Sequence, residues 1–414
     1  MSQPKYSTRC VDRFLEYVKF DTQSEEESEE YPSTAKQLVL LKHLVDELKS
    51  LGLDDVSMDE YGYVFATLPA TTTKDVPVIG FIAHVDTSPE MPGDGIKAII
   101  HKNYQGQDIV LPDDETAVLR YDDNPALAEQ KGNDIITASG TTLLGADNKA
   151  GVAEIVSAAE YLIAHPEIEH GKIRLGFTPD EEVGSGTKFF DVEKFGATYA
   201  YTMDGETLGQ LEVETFSADS LTATFKGFNT HPGFAKGKMT NAIKVAADFI
   251  TRLPKEGLSP ETTEGYEGFV HPYVIQAGVE STAVKFLIRD FKTELLKEKE
   301  DLLKKLAEET VADWPGSSVN VVVVEQYRNM GEILEAHPKV IAAAKKAIVN
   351  SGLELRMSPI RGGTDGSRLS FMGLPTPNIF AGEHNFHSRL EWISTSDMHK
   401  AVEVIVELCK VWAE

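Results

Sequence analysis

The sequence predicts an α/β fold in which a mostly parallel central sheet is flanked by helices and interrupted by an inserted α+β unit. Three observations lead there. Apolar runs that end abruptly in polar residues alternate with amphipathic helical segments, the texture turns to β-alternation from about Glu212, and the α/β texture resumes in the last part of the chain. Strands alternating with helices are the mark of a parallel sheet. At 414 residues the chain also exceeds the size at which one core stops growing. The expected division is 1–212 and 327–414 for the sheet-bearing domain, with 213–326 inserted.

Between Thr34 and Gly52 the residues Leu38, Leu41, Val45, Leu48 and Leu51 recur at helical spacing, and Gly52 provides the C-terminal cap. Val76 to Ala83 (VPVIGFIA) is a continuous apolar run, as in a strand buried on both faces, and polar residues begin at His84. Asn148 to Ala164 reads as a helix. Lys172 to Phe177 is a second such strand, followed by Thr178-Pro179-Asp180-Glu181-Glu182, and Thr198 to Met203 is a third, running into Asp204. In open parallel sheets ligands gather outside the carboxyl ends of the strands, where these polar clusters fall. The inserted unit reads as strand (LTATFKGF), helix, strand (VKFLIRDF), the amphipathic helix Thr293 to Ala312, and the strand Val319 to Val324. A helix from Pro338 to Asn350 then returns the chain to the first texture.

Composition narrows the function. Hydrophobic residues make up 41% and charged residues 26%, as in an ordinary globular protein. Forty Lys and Arg against 66 Asp and Glu leave a formal charge of −26, which repels nucleic acid and anionic membranes. The acidic run from Glu25 to Glu30 is assigned no role. Cys10 and Cys409 lack metal or disulfide spacing, no stretch approaches the ~20 apolar residues of a membrane span, and the N-terminus lacks an apolar signal region, so a cytoplasmic protein is expected.

His84-Val85-Asp86 sets an imidazole and a carboxylate on one side of an extended segment, which lets the acid fix the tautomer of a metal-binding histidine. An isolated HxD pair is more often structural. Asp147, in Leu144-Gly145-Ala146-Asp147-Asn148-Lys149, stands where a helix N-cap would. Asp180-Glu181-Glu182 concentrates like charge unless cations or protons neutralise it. With Asp204 and His387 the set becomes two histidines and three carboxylates, a donor group suited to two borderline metal ions such as zinc with a shared water as nucleophile. No GxSxG, HExxH or Walker A sequence offers a competing chemistry.

Taken together, FIAHVDTSPEM (81–91), LLGADNKAG (143–151), TPDEEVGSG (178–186), YTMDGE (201–206), THPGFAKGKMTNA (230–242), RGGTDGSRLSFMGLPTPN (361–378) and NFHSRLEW (385–392) resemble the M20 family of di-zinc metallopeptidases, on its tripeptide aminopeptidase (peptidase T) branch. The resemblance spans nearly the whole chain. It implies a zinc-peptidase-like central sheet with the insertion as a lid and dimerisation domain, and two Zn2+ per subunit: His84 and Asp204 on one, Glu182 and His387 on the other, Asp147 bridging. It makes Asp86 the orienting acid, Glu181 the general base that activates the metal-bridging water, and the Asp147-Asn148 peptide cis. His231 becomes the lid histidine that stabilises the oxyanion, in many relatives across a dimer interface, so a homodimer through the inserted domain is expected. Asn241, Arg289 and Arg361 are candidates for holding substrate, since guanidinium offers a fork of donors, and each serves equally well as a structural group. The implied reaction removes the N-terminal residue from short peptides, tripeptides above all. A dipeptidase or N-acyl amino acid amidohydrolase using the same site is the alternative, and a catalytically silent binding protein is disfavoured because no ligand or base is missing.

Overall fold

The computed structural model describes residues 5, 6 and 8–414; residues 1–4 and 7, at the start of the expected first domain segment, lie outside the described residues. The chain forms two compact units, one of Met1–Val213, Glu332–Ser358 and Thr364–Glu414, the other of Glu214–Gly331 and Pro359–Gly363. Pro359–Gly363 falls in the second unit, beyond the expected end of the insertion, because its backbone is tied there. Ile360 N donates to Glu214 O, and Ile360 forms a parallel bridge with Thr215.

The larger unit is built on an eight-stranded sheet. From edge to edge run Asp54–Met58, Val64–Leu68, Ile173–Thr178, Ile79–His84, Tyr199–Gly205, Asn378–Phe380, Gln210–Glu212 and Arg356–Met357. The central four are mutually parallel, while the pairings of Val64–Leu68 with its neighbours and of Gln210–Glu212 with Asn378–Phe380 are antiparallel. Ile79–His84 is buried at every residue, as its unbroken apolar run requires when both faces are covered. On one face Phe81 and Leu175 meet Ile155 and Leu162 of the helix Ala146–Ala164 and Ile405 of Thr395–Trp412. On the other, Ile82 and Phe65 pack with Phe195, Leu369 and Leu374. Gly151 lets the first of these helices touch the sheet, since a Cβ there would sit 2.1 Å from the backbone oxygen of Met203.

The helix expected from Thr34 to Gly52 runs Gln37–Ser50, and Gly52 closes it at φ +84° with Leu53 N donating to Leu48 O. Its buried stripe is Gln37, Leu40, Leu41, Leu44 and Leu48, so Leu38 and Val45 are displaced from the inner face. A small antiparallel sheet of Glu383–His384, Trp392–Ser394, Ile135–Thr137 and Ile99–His101, unmarked in the sequence pattern, completes this unit.

The smaller unit is α+β. Its antiparallel sheet runs Phe269–Ala277, Ser281–Asp290, Ser217–Lys226, Ser318–Tyr327, and the helices Ala242–Thr251 and Thr293–Asp313 cover one face. Alternation places Leu221, Ala223 and Phe225 with Val284, Phe286 and Ile288 on that face, against Val245, Phe249, Leu296 and Leu303.

Candidate metal centre

Three adjacent parallel strands deliver their polar ends to one level. His84 closes its strand opposite Thr178, whose strand leads into the Asp180–Glu182 turn, and Ile82 pairs with Thr202, two residues ahead of Asp204. Asp147 comes from the first turn of Ala146–Ala164, where Asp147 and Asn148 leave helical φ/ψ and the peptide between them is cis. His387, at φ +59°, sits in the loop joining Glu383–His384 to Trp392–Ser394. A left-handed backbone at a histidine is uncommon.

The five residues converge. His84 Nε2 lies 2.9 Å from Asp147 Oδ1 and 3.3 Å from Asp204 Oδ1, while His387 Nε2 lies 3.2 Å from Asp147 Oδ2 and 2.8 Å from Glu182 Oε2. Asp147 thus turns one oxygen to each histidine. Two groups result, His84–Asp147–Asp204 and Asp147–Glu182–His387, each with all its donor atoms within 4.8 Å of one another. Donors about 2.0–2.2 Å from a tetrahedral metal stand about 3.3–3.6 Å apart, so the separations here need to open only by a few tenths of an ångström. The buried Glu182 Oε1 has no partner, and Asp204 Oδ1 makes no hydrogen bond, so oxygens remain for a cation to satisfy. The residues therefore fit a pair of divalent metals.

Electrostatics agree with that fit. Burial drives the Glu181 carboxyl well above the usual range, with Asp204, Asp365 and Glu182 adding to it, and burial beside Asp147 pushes Glu182 up to about 8. Burial opposes a charged His84, but Asp204 and Asp147 outweigh it and hold its pKa high. Without cations burial raises Glu181, Glu182 and Asp204, whereas the imidazoles of His387 and His84 hold Asp147 below the usual carboxylate range against its own burial; bound metal would supply that positive charge instead.

The surrounding groups fix the donors. His84 Nδ1 lies 3.1 Å from the backbone oxygen of Asp86 and 3.3 Å from its Oδ1, and the two carboxylate oxygens accept the backbone N–H of Glu181 at 3.0 Å and Glu182 at 3.2 Å. Asp86 holds both the imidazole and the acidic turn. Asp180, at φ +58°, accepts from Ser33 N at 2.6 Å and Gln37 Nε2 at 2.7 Å, which anchors the same turn from behind. Glu181 Oε2 stands 4.0 Å from His84 Nε2. His384 lies apart from the donor groups, stacked on Trp392 with centroids 4.2 Å apart.

Among the residues of the smaller unit, His231 is exposed and caps a 3₁₀ turn, its Nδ1 accepting from Gly233 N at 3.1 Å. Asn241 caps Ala242–Thr251 by accepting from Ile243 N. Arg289 donates to Gln326 Oε1 at 3.0 Å and lies over Tyr327. Arg361 gives its terminal nitrogens to the backbone oxygens of Thr263, Gly265 and Glu267 and lies against the rings of both Phe216 and Phe269. Those three contacts, with a fourth to Thr263 Oγ1 at 3.1 Å, bind the chain to itself. Two residues at the centre carry no role in the sequence reading. Glu90 Oε2 stands 3.5 Å from His387 Nδ1, and the buried Glu391 accepts three backbone N–H groups of the segment bearing Asp147. The one sequence signal for Glu391 is an acid enclosed by Leu390, Trp392 and Ile393.

Residues 110–411 match the model of peptidase family M20/M25/M40. Peptidase T of Geobacillus sp. (strain WCH70) is 51% identical over 404 residues, 98% of each chain. Aminopeptidase PepT from Bacillus cereus ATCC 10987 superposes with a TM-score of 0.76 at 26% identity over 98% of each chain. The YXEP protein of Bacillus subtilis, a dinuclear metal binding peptidase from the M20 family, shares the fold, with a TM-score of 0.66 at 15% identity over 97% of each chain. No helix among the described residues is long and apolar enough to cross a membrane. The chain belongs to peptidase family M20/M25/M40, on its peptidase T branch, and is a metallopeptidase.

Proposed function

We propose that the chain removes the N-terminal residue from short peptides, tripeptides first, at two zinc ions shared by His84 and Asp204, by Glu182 and His387, and by Asp147 between them. The division of the Asp147 oxygens between His84 and His387 supports this most, since a carboxylate aimed two ways is what a bridge requires. Zinc held there would polarise the scissile carbonyl and lower the pKa of a shared water toward neutrality.

Glu181 takes the proton from that water and returns it to the leaving amine, a task for a buried carboxyl whose proton affinity is raised. Asp86 keeps His84 Nε2 free for metal by facing Nδ1, and keeps Glu181 aimed by holding its backbone. His231 serves the oxyanion. With Nδ1 accepting from Gly233, its neutral ring carries the proton on Nε2, leaving a donor for developing negative charge. Asn241, Arg289 and Arg361 are assigned to substrate from the family resemblance. Arg361 contributes only through whatever donor capacity its backbone contacts leave. We place the enzyme in the cytoplasm and its oligomer as a homodimer through the unit of residues 214–331.

The test is product analysis of a tripeptide panel with zinc-reconstituted enzyme, beside Glu181→Gln. Release of the N-terminal residue by the wild type, with a loss of about 10²–10⁴ in kcat for Glu181→Gln, is expected. Full activity in Glu181→Gln would sink the mechanism. Turnover of dipeptides or N-acyl amino acids without tripeptides would sink the substrate class.

A further inference from the structure

We propose that Glu391 is a positioning residue for the reaction, fixing the backbone from which Asp147 reaches both metal positions. The proposal rests on the reading of Asp147 as the bridging carboxylate. Glu391 is 1% exposed. Its Oε2 accepts from Leu144 N at 2.6 Å and Gly145 N at 2.8 Å, and its Oε1 accepts from Asp147 N at 3.0 Å. An ionised carboxylate takes three N–H donors without presenting one of its own, and these three bonds lower a pKa that burial pushes up to about 7. An amide at this place would satisfy the pair at Leu144 and Gly145 or the single donor at Asp147, and would set N–H against N–H at the other.

Burying a carboxylate near Asp147 is unfavourable unless it is fully bonded and balanced. The balance is local. Lys149, itself wholly buried, donates from Nζ to Phe20 O at 2.8 Å, and a Cβ on Gly145 would meet that Nζ at 3.6 Å, so the ammonium lies against the turn that Glu391 holds. Gly145 at φ +77° supplies the left-handed residue the turn needs.

Glu391 also lies in the same inter-strand connection as His387, between Glu383–His384 and Trp392–Ser394. One short loop therefore presents His387 to Asp147 Oδ2 and clamps the backbone of Asp147 itself. Asp147 and His387, more than two hundred residues apart in sequence, are held in register by a carboxylate that touches neither metal position.

The experiment measures zinc affinity by chelator competition in the full-length chain for wild type, Glu391→Gln, Glu391→Asp, Asp147→Ala and the Glu391→Gln/Asp147→Ala double variant. Expected is a loss of about 10–100-fold in affinity for Glu391→Gln. In the Asp147→Ala background the same change should alter affinity by less than about twofold, because a residue acting through Asp147 has nothing left to position. Glu391→Asp keeps the charge but withdraws the oxygens by one methylene, and it too should lose affinity. This variant carries the test if Glu391→Gln does not fold. Unchanged affinity, equal losses in both backgrounds, or a loss in Glu391→Gln that Glu391→Asp escapes would overturn the proposal, the last by reducing Glu391 to its charge. Wild-type chain that binds no zinc would overturn the parent reading along with it, whereas zinc-replete, active wild type beside an unaltered Glu391→Gln overturns this inference alone.

Discussion

Replacing Glu212 by Gln should remove a defined pH dependence from folding stability. Glu212 ends the strand Gln210–Glu212, 7% exposed, with its carboxylate oxygens accepting from Gln210 Nε2 and Asn378 Nδ2, both at 2.7 Å. Burial pushes its carboxyl from 4.5 up to about 8. The folded state then binds a proton that the unfolded chain releases between those values, so stability falls as pH rises from about 4.5 to about 8, by about 1.4 kcal/mol per pH unit. At pH 7 that amounts to about 3 kcal/mol. Glutamine copies the protonated acid, and the amide of Asn378 turns over to receive it, since Asn378 Oδ1 is buried without a partner. The assay is urea unfolding of wild type and Glu212→Gln at pH 5, 6, 7 and 8 in chelator, so that metal binding adds no pH dependence of its own. The two stabilities should diverge in favour of the variant as pH rises. A constant gap across the range would refute the reasoning whatever its sign, because a fixed packing or hydrogen-bond difference has no slope.

Three further outcomes follow from the same geometry. Asp86→Asn retains one acceptor for His84 and the acidic turn and opposes a second N–H with its own, so zinc affinity should fall about 10–100-fold in a competition titration while circular dichroism is unchanged. Removing divalent metal should abolish turnover and lower the thermal midpoint, because the clustered carboxylates lose their counter-charge, and zinc restored to 100 times its Kd should return about 2.7 kcal/mol of stability for each site filled. Phe249→Ala empties a wholly buried position between Phe225 and Phe286 and should destabilise the unit of residues 214–331 by about 3–5 kcal/mol in denaturant unfolding.

How much of this was legible in the sequence depended on whether burial or chemistry set the pattern. Strands 79–84, 173–178 and 199–205 announced themselves because a continuous apolar run at 79–83 and two further mainly apolar segments, each ending in a histidine or acids, have one economical arrangement, a covered parallel sheet with its polar ends together. Alternation in 281–290 and 217–226 likewise gave the second sheet. Strands of two or three residues, such as Gln210–Glu212 and Asn378–Phe380, are too short to show a period and become strands only through their neighbours. Donor types were visible in His84, Asp147, Glu182, Asp204 and His387, but their convergence came from the family resemblance, since nothing in local pattern says that a loop near residue 387 meets a helix start near 147.

The departures from pattern share a cause. The helix Gln37–Ser50 is leucine-rich enough to offer several apolar stripes, and the one it buries begins with a glutamine. Gln37 is wholly buried because its amide donates to Asp180 Oδ1 at 2.7 Å while its carbonyl oxygen accepts from Asp180 N at 3.1 Å, so the helix is turned to serve the residue ahead of Glu181. Glu391 repeats this in an apolar setting, spending its burial on the N–H groups around Asp147. Hydrophobic periodicity therefore fails first where a polar side chain is buried to hold a donor in place. Here such a residue, a buried glutamine in a leucine-rich helix or a buried acid between Leu390 and Trp392, points to the site as surely as the ligands do.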